Sequence, residues 1–230
     1  MSEPSRTSQS LVTSLAALTV VSGFLDAVSY LGLGHVFTAN MTGNVVLLGF
    51  AGAGAAGFSM TASLTALGAF VVGAVIGGRV ARRAPVRHRL MMIVMSMEVS
   101  LTIVAALIAA SVSASGIGSG WPRFTVIALL AVSMGARNAA VRRLGVADMT
   151  TTVLTTTLTG LASDSTFAGG NNPNASHRLT SVVSMFVGAV VGAALTIHVH
   201  PAVALGVAAA IVTATAVFLL RERPAELEVA

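Results

Sequence analysis

Long apolar runs, each about the length of a membrane-spanning helix, alternate with short polar segments along most of the chain. A helix needs about 20 mostly apolar residues to cross a bilayer. The pattern predicts eight candidate segments, which are Leu11–Leu33, Val36–Phe58, Thr61–Val80, Leu90–Ser113, Phe124–Leu144, Met149–Phe167, Leu179–His198 and Pro201–Leu220. The predicted fold class is therefore an all-α polytopic membrane protein.

Two of these segments are too polar to face lipid along their whole length. The second segment opens with Thr38, Asn40, Thr42 and Asn44, and the sixth holds eight Thr and one Asp. Broken or re-entrant backbone is tolerated at membrane depth only where protein or a wet cavity surrounds it. We expect these two segments to be broken or re-entrant helices, which leaves six full crossings. The alternative is eight crossings.

An internal repeat relates the two halves of the sequence. Phe70–Gly78 aligns with Met185–Ala193 at an offset of 115 and matches at five of nine positions, and Asp26 falls on Asn138 at an offset of 112. We predict a single integral membrane domain, 1–230, with repeats 11–113 and 121–220 and polar tails 1–10 and 221–230. Three crossings in each half make the repeats inverted, whereas four make them parallel.

Composition and charge support a lipid environment. Hydrophobic residues make up 55% of the chain and charged residues 9%, against about 25% charged in an ordinary soluble domain. The chain has no Cys, which excludes disulfides, thiol nucleophiles and Cys-ligated zinc. No motif indicates an enzyme, a metal or a cofactor. The basic residues stand at the ends of apolar runs, a placement that indicates membrane orientation and no nucleic-acid partner.

The distribution of arginines favours six crossings over eight. Basic residues concentrate on the cytoplasmic side of membrane proteins. All 13 basic residues are Arg. With six crossings, 11 of them lie on one side, only Arg123 lies on the other, and Arg137 lies within a helix. With eight crossings the better division is seven against five.

The two polar segments supply the candidate substrate site. Asn40 and Asn44 are one helical turn apart, as are Thr38 and Thr42, so that amides share one face with hydroxyls beside them. Gly43 allows a backbone or a ligand to approach closely. In the second half Thr151, Thr155 and Thr159 recur every four residues. The alternative is that these side chains only hydrogen-bond neighbouring helices or their own backbone.

Ionisable residues at membrane depth are the other candidates for function. Asp26 lies about two-thirds of the way through the first helix, and its repeat equivalent Asn138 stands beside Arg137. Asp26 could pair with Arg137 and join the halves, or it could be a proton- or cation-responsive carboxylate. Glu98 is either a second proton site or a structural partner.

Small residues predict close helix contacts. Gly73 and Gly77 are four residues apart, as are their repeat equivalents Gly188 and Gly192. This spacing favours tight helix packing, either within the chain or in a homo-oligomer.

The residues around the first polar segment resemble a known family. Asp26-Ala-Val-Ser-Tyr-Leu31, followed by Val36-Phe-Thr-Ala-Asn-Met-Thr-Gly-Asn44, is similar to the YoaK family of bacterial inner-membrane proteins, a domain of unknown function. The residues that carry the resemblance are Asp26, Ser29, Tyr30, Asn40, Thr42, Gly43 and Asn44. The resemblance implies a protein of roughly six helices in the bacterial plasma membrane and does not identify a substrate. The arginine distribution then predicts cytoplasmic termini.

Two functional hypotheses follow. The first is a transporter or channel for a small polar or weakly ionic solute, with a site at the midplane and proton coupling as an option. The second is a non-transporting membrane subunit or scaffold, in which the polar residues only hold helices together.

Overall fold

The computed structural model describes residues 6–84, 86–112, 120–144, 154–172 and 174–221. Every regular element in these ranges is helical. In chain order the elements are α1 (Arg6–Gly32), α2 (Met41–Gly52), α3 (Met60–Arg83), α4 (Arg87–Ala110), α5 (Gly120–Leu144), α6 (Leu154–Ser163), a 3₁₀ turn (Thr166–Ala168), α7 (Ala175–His198) and α8 (Pro201–Arg221).

Six of the described helices are long and apolar enough to cross a membrane. They are α1, α3, α4, α5, α7 and α8. The two segments that the sequence marks as polar form α2, with 12 residues, and α6, with 10. At 1.5 Å per residue α2 is about 18 Å long, well short of a hydrocarbon core of about 30 Å. The protein is therefore an all-α multi-pass membrane protein with six candidate crossings.

Helices α1 and α5 lie nearest the centre of the helix bundle. In the most apolar stretch of each helix, 67% of α1 and 61% of α5 is buried, against 17% to 44% for the other four candidate crossings. The core includes Leu18, Phe24, Leu130 and Met134, all fully buried. The outer helices leave apolar side chains exposed, as helices in lipid do.

Glycines permit the closest helix contacts. A Cβ atom on Gly73 would overlap the backbone carbonyl of Val132, so α3 packs against α5 with almost no side chain between the two backbones. Gly188 stands in the same relation to Val20, which joins α7 to α1. Gly77 and Gly192 continue the same two contacts, against Ala136 and Phe24. Both small-residue faces therefore pack within the chain, the first of the two roles predicted for them.

Candidate functional site

The connection from α1 to α2 turns back along α1. Gly34 and His35 both have positive φ, 84° and 57°, and reverse the chain direction. The ring of Phe37 then stacks on Tyr30, with the ring centroids 5.0 Å apart. The Oδ1 atom of Asp26 accepts hydrogen bonds from the backbone N–H groups of Thr38 at 2.9 Å and Ala39 at 2.7 Å.

This path takes the chain back alongside α1, toward the middle of that helix. Asp26 lies six residues before the end of α1, a depth of about 9 Å at 1.5 Å per residue. Helix α2 begins two residues after Ala39 and leads back to the end of α1, where His35 Nδ1 lies 2.9 Å from the carbonyl oxygen of Gly57. The first polar segment thus runs back along α1 and returns, and α3 starts on the side where α1 ends.

Asn40 and Asn44 fix this segment, with different roles. Asn40 is the N-cap of α2, and its side-chain oxygen accepts from the N–H of Gly43 at 3.1 Å. Asn44 is fully buried; its Oδ1 accepts from the N–H of Phe37 at 2.9 Å and its Nδ2 donates to the Phe37 carbonyl at 2.6 Å. The expectation that both amides share one helical face is wrong. Asn40 precedes the helix, whereas Asn44 lies within it and hydrogen-bonds the backbone of Phe37 in the segment that leads into α2.

Gly43 has a local role that the sequence does not specify. A Cβ atom there would lie 2.7 Å from the ring of Phe37, so the missing side chain makes room for this ring. The close approach expected at Gly43 is therefore made by a side chain of the same segment.

A cavity of about 390 Å³ lies between the two short helices. The first half contributes Ala39, Asn40, Thr42, Gly43 and Val46, and the second half contributes Leu154, Thr155 and Met185. Thr42 and Thr155 are each the second residue of their helix, α2 and α6 respectively. The structure thus brings together four of the predicted site residues: Asn40, Thr42, Gly43 and Thr155.

Other predicted site residues pack against the first polar segment and do not line the cavity. Thr38 is fully buried, and Asp26 is 5% exposed. Ser29 donates to the backbone carbonyl of Asp26 at 3.2 Å. Tyr30 packs between His35 and Phe37. Within the described ranges, Asp26 Oδ2 and Thr38 Oγ1 are buried without a hydrogen-bond partner.

Arg137 has a different partner from the one expected. Its Nη1 atom lies 2.7 Å from Glu98 Oε1, both side chains are completely buried, and its Nη2 donates to Ser22 Oγ. Asp26 is instead bound by backbone N–H groups of the first polar segment. The Asp26–Arg137 pair, one of the two alternative roles considered for Asp26, is therefore not formed, because α4 places Glu98 against α5. Glu98 has the structural partner that was one of its own two predicted roles.

The second-half residues are only partly placed at the cavity. Thr155 lines it, whereas Asn138 Nδ2 donates to the carbonyl of Met134 within α5 at 2.9 Å. Thr159 is exposed on α6. Thr151 lies outside the described residues.

Sequence reasoning missed several polar residues around the buried ion pair. Ser22, Thr102 and Ser133 are fully buried and lie one helical turn from Asp26, Glu98 and Arg137 respectively. In the part of the chain that the structure describes, Thr102 Oγ1, Ser133 Oγ and Glu98 Oε2 have no hydrogen-bond partner. The spacing of four between a hydroxyl and an ionisable residue is the signal that could have identified them.

Comparison with known proteins agrees with this architecture. A family described as "Protein of unknown function (DUF1275)" matches residues 14–218. The UPF0700 transmembrane protein YoaK of Bacillus subtilis (strain 168) is 36% identical over 152 residues, and the match covers 66%, just under two thirds, of each chain. No solved structure matches significantly. Since the family match covers most of the sequence, the chain belongs to the DUF1275 family, which includes membrane proteins similar to YoaK.

Proposed function

We propose that this protein is a transporter or channel for a small solute, with its binding site in the cavity between α2 and α6. The observation that carries the proposal is that Asn40, Thr42 and Thr155, from two short helices far apart in sequence, line one cavity of about 390 Å³. Transporters commonly bind substrate where discontinuous helices from two repeats meet. A packing role alone does not require such a cavity.

The lining indicates the class of solute. The side chains at the cavity are amide, hydroxyl, thioether and aliphatic groups, with no charged residue among them. The first turn of α2 also lies at this cavity, so the positive end of its helix dipole is nearby. A small polar or weakly ionic solute with an electronegative atom fits these groups.

Asp26 is the group through which we propose proton coupling. Its Oδ1 atom accepts hydrogen bonds from the N–H groups of Thr38 and Ala39, and Ala39 lines the cavity. A proton on this carboxylate would weaken those two hydrogen bonds, since a charged acceptor binds N–H groups more strongly than a neutral one. Protonation and the shape of the cavity would then be linked.

The proposed topology is an inverted repeat in the bacterial plasma membrane with both termini in the cytoplasm. The re-entrant path of α2 and the arginine distribution support three crossings in each half. The two glycine contacts support the repeat: Gly73 on Val132 and Gly188 on Val20 are equivalent at offsets of 115 and 112, close to those in the sequence alignment.

Cysteine accessibility tests whether the cavity is open to water. Because the chain contains no Cys, Thr42→Cys and Thr155→Cys each introduce a single thiol. We expect both to react with a charged, membrane-impermeant methanethiosulfonate reagent in membrane vesicles of one orientation or the other. Val45→Cys is the control, because Val45 is 59% exposed on α2 and does not line the cavity. In the proposed topology it faces lipid, where a thiolate does not form. Equal, negligible labelling of all three would favour the scaffold hypothesis.

Flux measurements test the transport step. Liposomes containing the protein are challenged with glycerol or formate, and their swelling is followed by light scattering. Filling the cavity with Thr42→Trp should abolish protein-dependent swelling, whereas Val45→Trp should leave it unchanged. Protein-dependent flux that survives Thr42→Trp would place the pathway elsewhere.

A further inference from the structure

A second cleft lies at the C-terminal end of α3, beside the start of α4. It has a volume of about 390 Å³ and is lined by Ile76, Arg79, Val80, Arg83, Arg89 and Ile93, among others. Helices α3 and α4 are consecutive, yet α3 packs mainly on α5, and α4 packs on α5 and α8. The two helices therefore diverge and leave the cleft open toward lipid.

Three arginines give the cleft its charge. Arg79 and Arg83 are one turn apart on the same face of α3, and Arg89 approaches from α4. All three are exposed, and no described acidic residue lies within salt-bridge distance of any of them. Three guanidinium groups around one cleft repel each other, so an anion that contacts all three is strongly favoured. Arginine binds phosphate oxygens through two parallel hydrogen bonds.

The cleft changes from charged to apolar with depth. Arg83 ends α3, and Ile76 lies seven residues earlier, about 10 Å deeper at 1.5 Å per residue. On α4, Ile93 lies six residues from the first residue of the helix and is 41% exposed. A ligand that fills the cleft therefore has a negatively charged end near the helix termini and an apolar part that points toward the bilayer centre.

We propose that this cleft binds an anionic phospholipid, with the phosphate held by Arg79, Arg83 and Arg89 and the first acyl carbons lying along Ile76 and Ile93. Basic pockets between membrane helices are suited to anionic head groups. A free phosphate ion would use the arginines and leave the apolar floor unused. This site is separate from the cavity between α2 and α6, and the proposal does not depend on transport.

Lipid retention in native mass spectrometry tests the proposal. The detergent-solubilised protein is titrated with phosphatidylglycerol and, separately, with phosphatidylcholine. We expect preferential retention of phosphatidylglycerol, and weaker binding by roughly 100-fold in Arg79→Gln/Arg83→Gln/Arg89→Gln, since each basic residue contributes about fivefold. The control is Arg142→Gln/Arg143→Gln, which removes two exposed arginines from the last turn of α5 and should leave the binding unchanged.

Two further measurements distinguish a bound lipid from a bound soluble phosphate. Ile93→Trp keeps every arginine and fills the apolar floor, so it should weaken phosphatidylglycerol binding while leaving binding of glycerol phosphate intact. Displacement of the lipid by equimolar inorganic phosphate would assign the cleft to a soluble anion and overturn the proposal. Equal loss in the triple and control variants, or equal retention of both lipids, would also overturn it. The substituted arginines are exposed, and a size-exclusion profile verifies that each variant is folded.

Discussion

Arg137 on α5 and Glu98 on α4 form an ion pair with 2.7 Å between Nη1 and Oε1, and neither side chain is exposed. Ser22 on α1 accepts a hydrogen bond from the same guanidinium group. Three candidate crossings thus meet at one charge pair in the helix bundle. In a low-dielectric interior such a pair can be nearly neutral for stability as a whole, while either ion alone is very costly.

Removing one partner of this pair should therefore cost more than removing both. Glu98→Leu or Arg137→Leu leaves an uncompensated buried charge and should lower the free energy of unfolding by about 3–5 kcal/mol. The double variant Glu98→Leu/Arg137→Leu should recover much of that loss. The measurement is the thermal-aggregation midpoint in detergent for all four proteins. Losses that simply add in the double variant would contradict the coupling between the two residues.

The fold should tolerate Asp26→Asn better than Asp26→Ala. Asp26→Ala leaves the N–H groups of Thr38 and Ala39 without their acceptor and should cost about 2–6 kcal/mol, because each of the two unsatisfied buried donors costs about 1–3 kcal/mol. Asp26→Asn retains a carbonyl oxygen and should cost less. Thermal stability of the two variants tests this role.

The same Asp26→Asn variant tests proton coupling separately. It has no proton to exchange, so solute flux in liposomes should lose its dependence on pH while the fold persists. Unchanged flux and an unchanged pH profile would remove Asp26 from the transport mechanism and leave only its structural role.

Two glycines on α3 should respond oppositely to alanine. Gly73→Ala places a methyl group against the Val132 carbonyl and forces α3 away from α5, at a cost of about 1–3 kcal/mol. Gly68 has open space at its Cβ position, so Gly68→Ala should be neutral or stabilise the helix by up to about 1 kcal/mol. Gly188→Ala and Gly206→Ala form the matched pair in the second half. The measurement is the thermal-unfolding midpoint of each variant in detergent. Equal unfolding midpoints within each pair of variants would contradict the close helix contacts.

The Asp164–Arg178 pair should stabilise the fold at neutral pH and lose this contribution only in acid. Arg178 Nη1 lies 2.7 Å from Asp164 Oδ2, and hydrogen bonds from Arg178 and Ser163 lower the pKa of Asp164 below its usual range. A lowered folded-state pKa gives stability that is present above the unfolded pKa of about 3.9 and is lost as pH falls through the folded value. The difference in melting midpoint between the parent protein and Asp164→Asn should stay constant from pH 8 to pH 5 and shrink below about pH 4. A difference that changes near neutrality would exclude this pair as its source.

The sequence by itself determined that lipid surrounds the protein and where its helices lie, and it favoured six crossings over eight. A bilayer requires apolar runs of a fixed minimum length, so run length predicted eight candidate segments. The polar content of two segments and the arginine distribution then favoured six long helices and two short polar segments. The spacing of Gly73 and Gly77 likewise predicted a tight contact, because close backbone approach requires small residues at that interval. These features depend on local pattern and on the thickness of the membrane.

Only the tertiary structure decided which polar groups meet. Asp26 binds backbone N–H groups because the chain after α1 turns back at Gly34 and His35, a path that no local pattern specifies. Arg137 pairs with Glu98 because α4 and α5 pack together, and Asn40 and Thr155 share a cavity because two distant short helices begin beside each other. The partners of a buried polar group are set by the path of the whole chain, since most such groups are hydrogen-bonded and sequence spacing identifies only partners on the same helix.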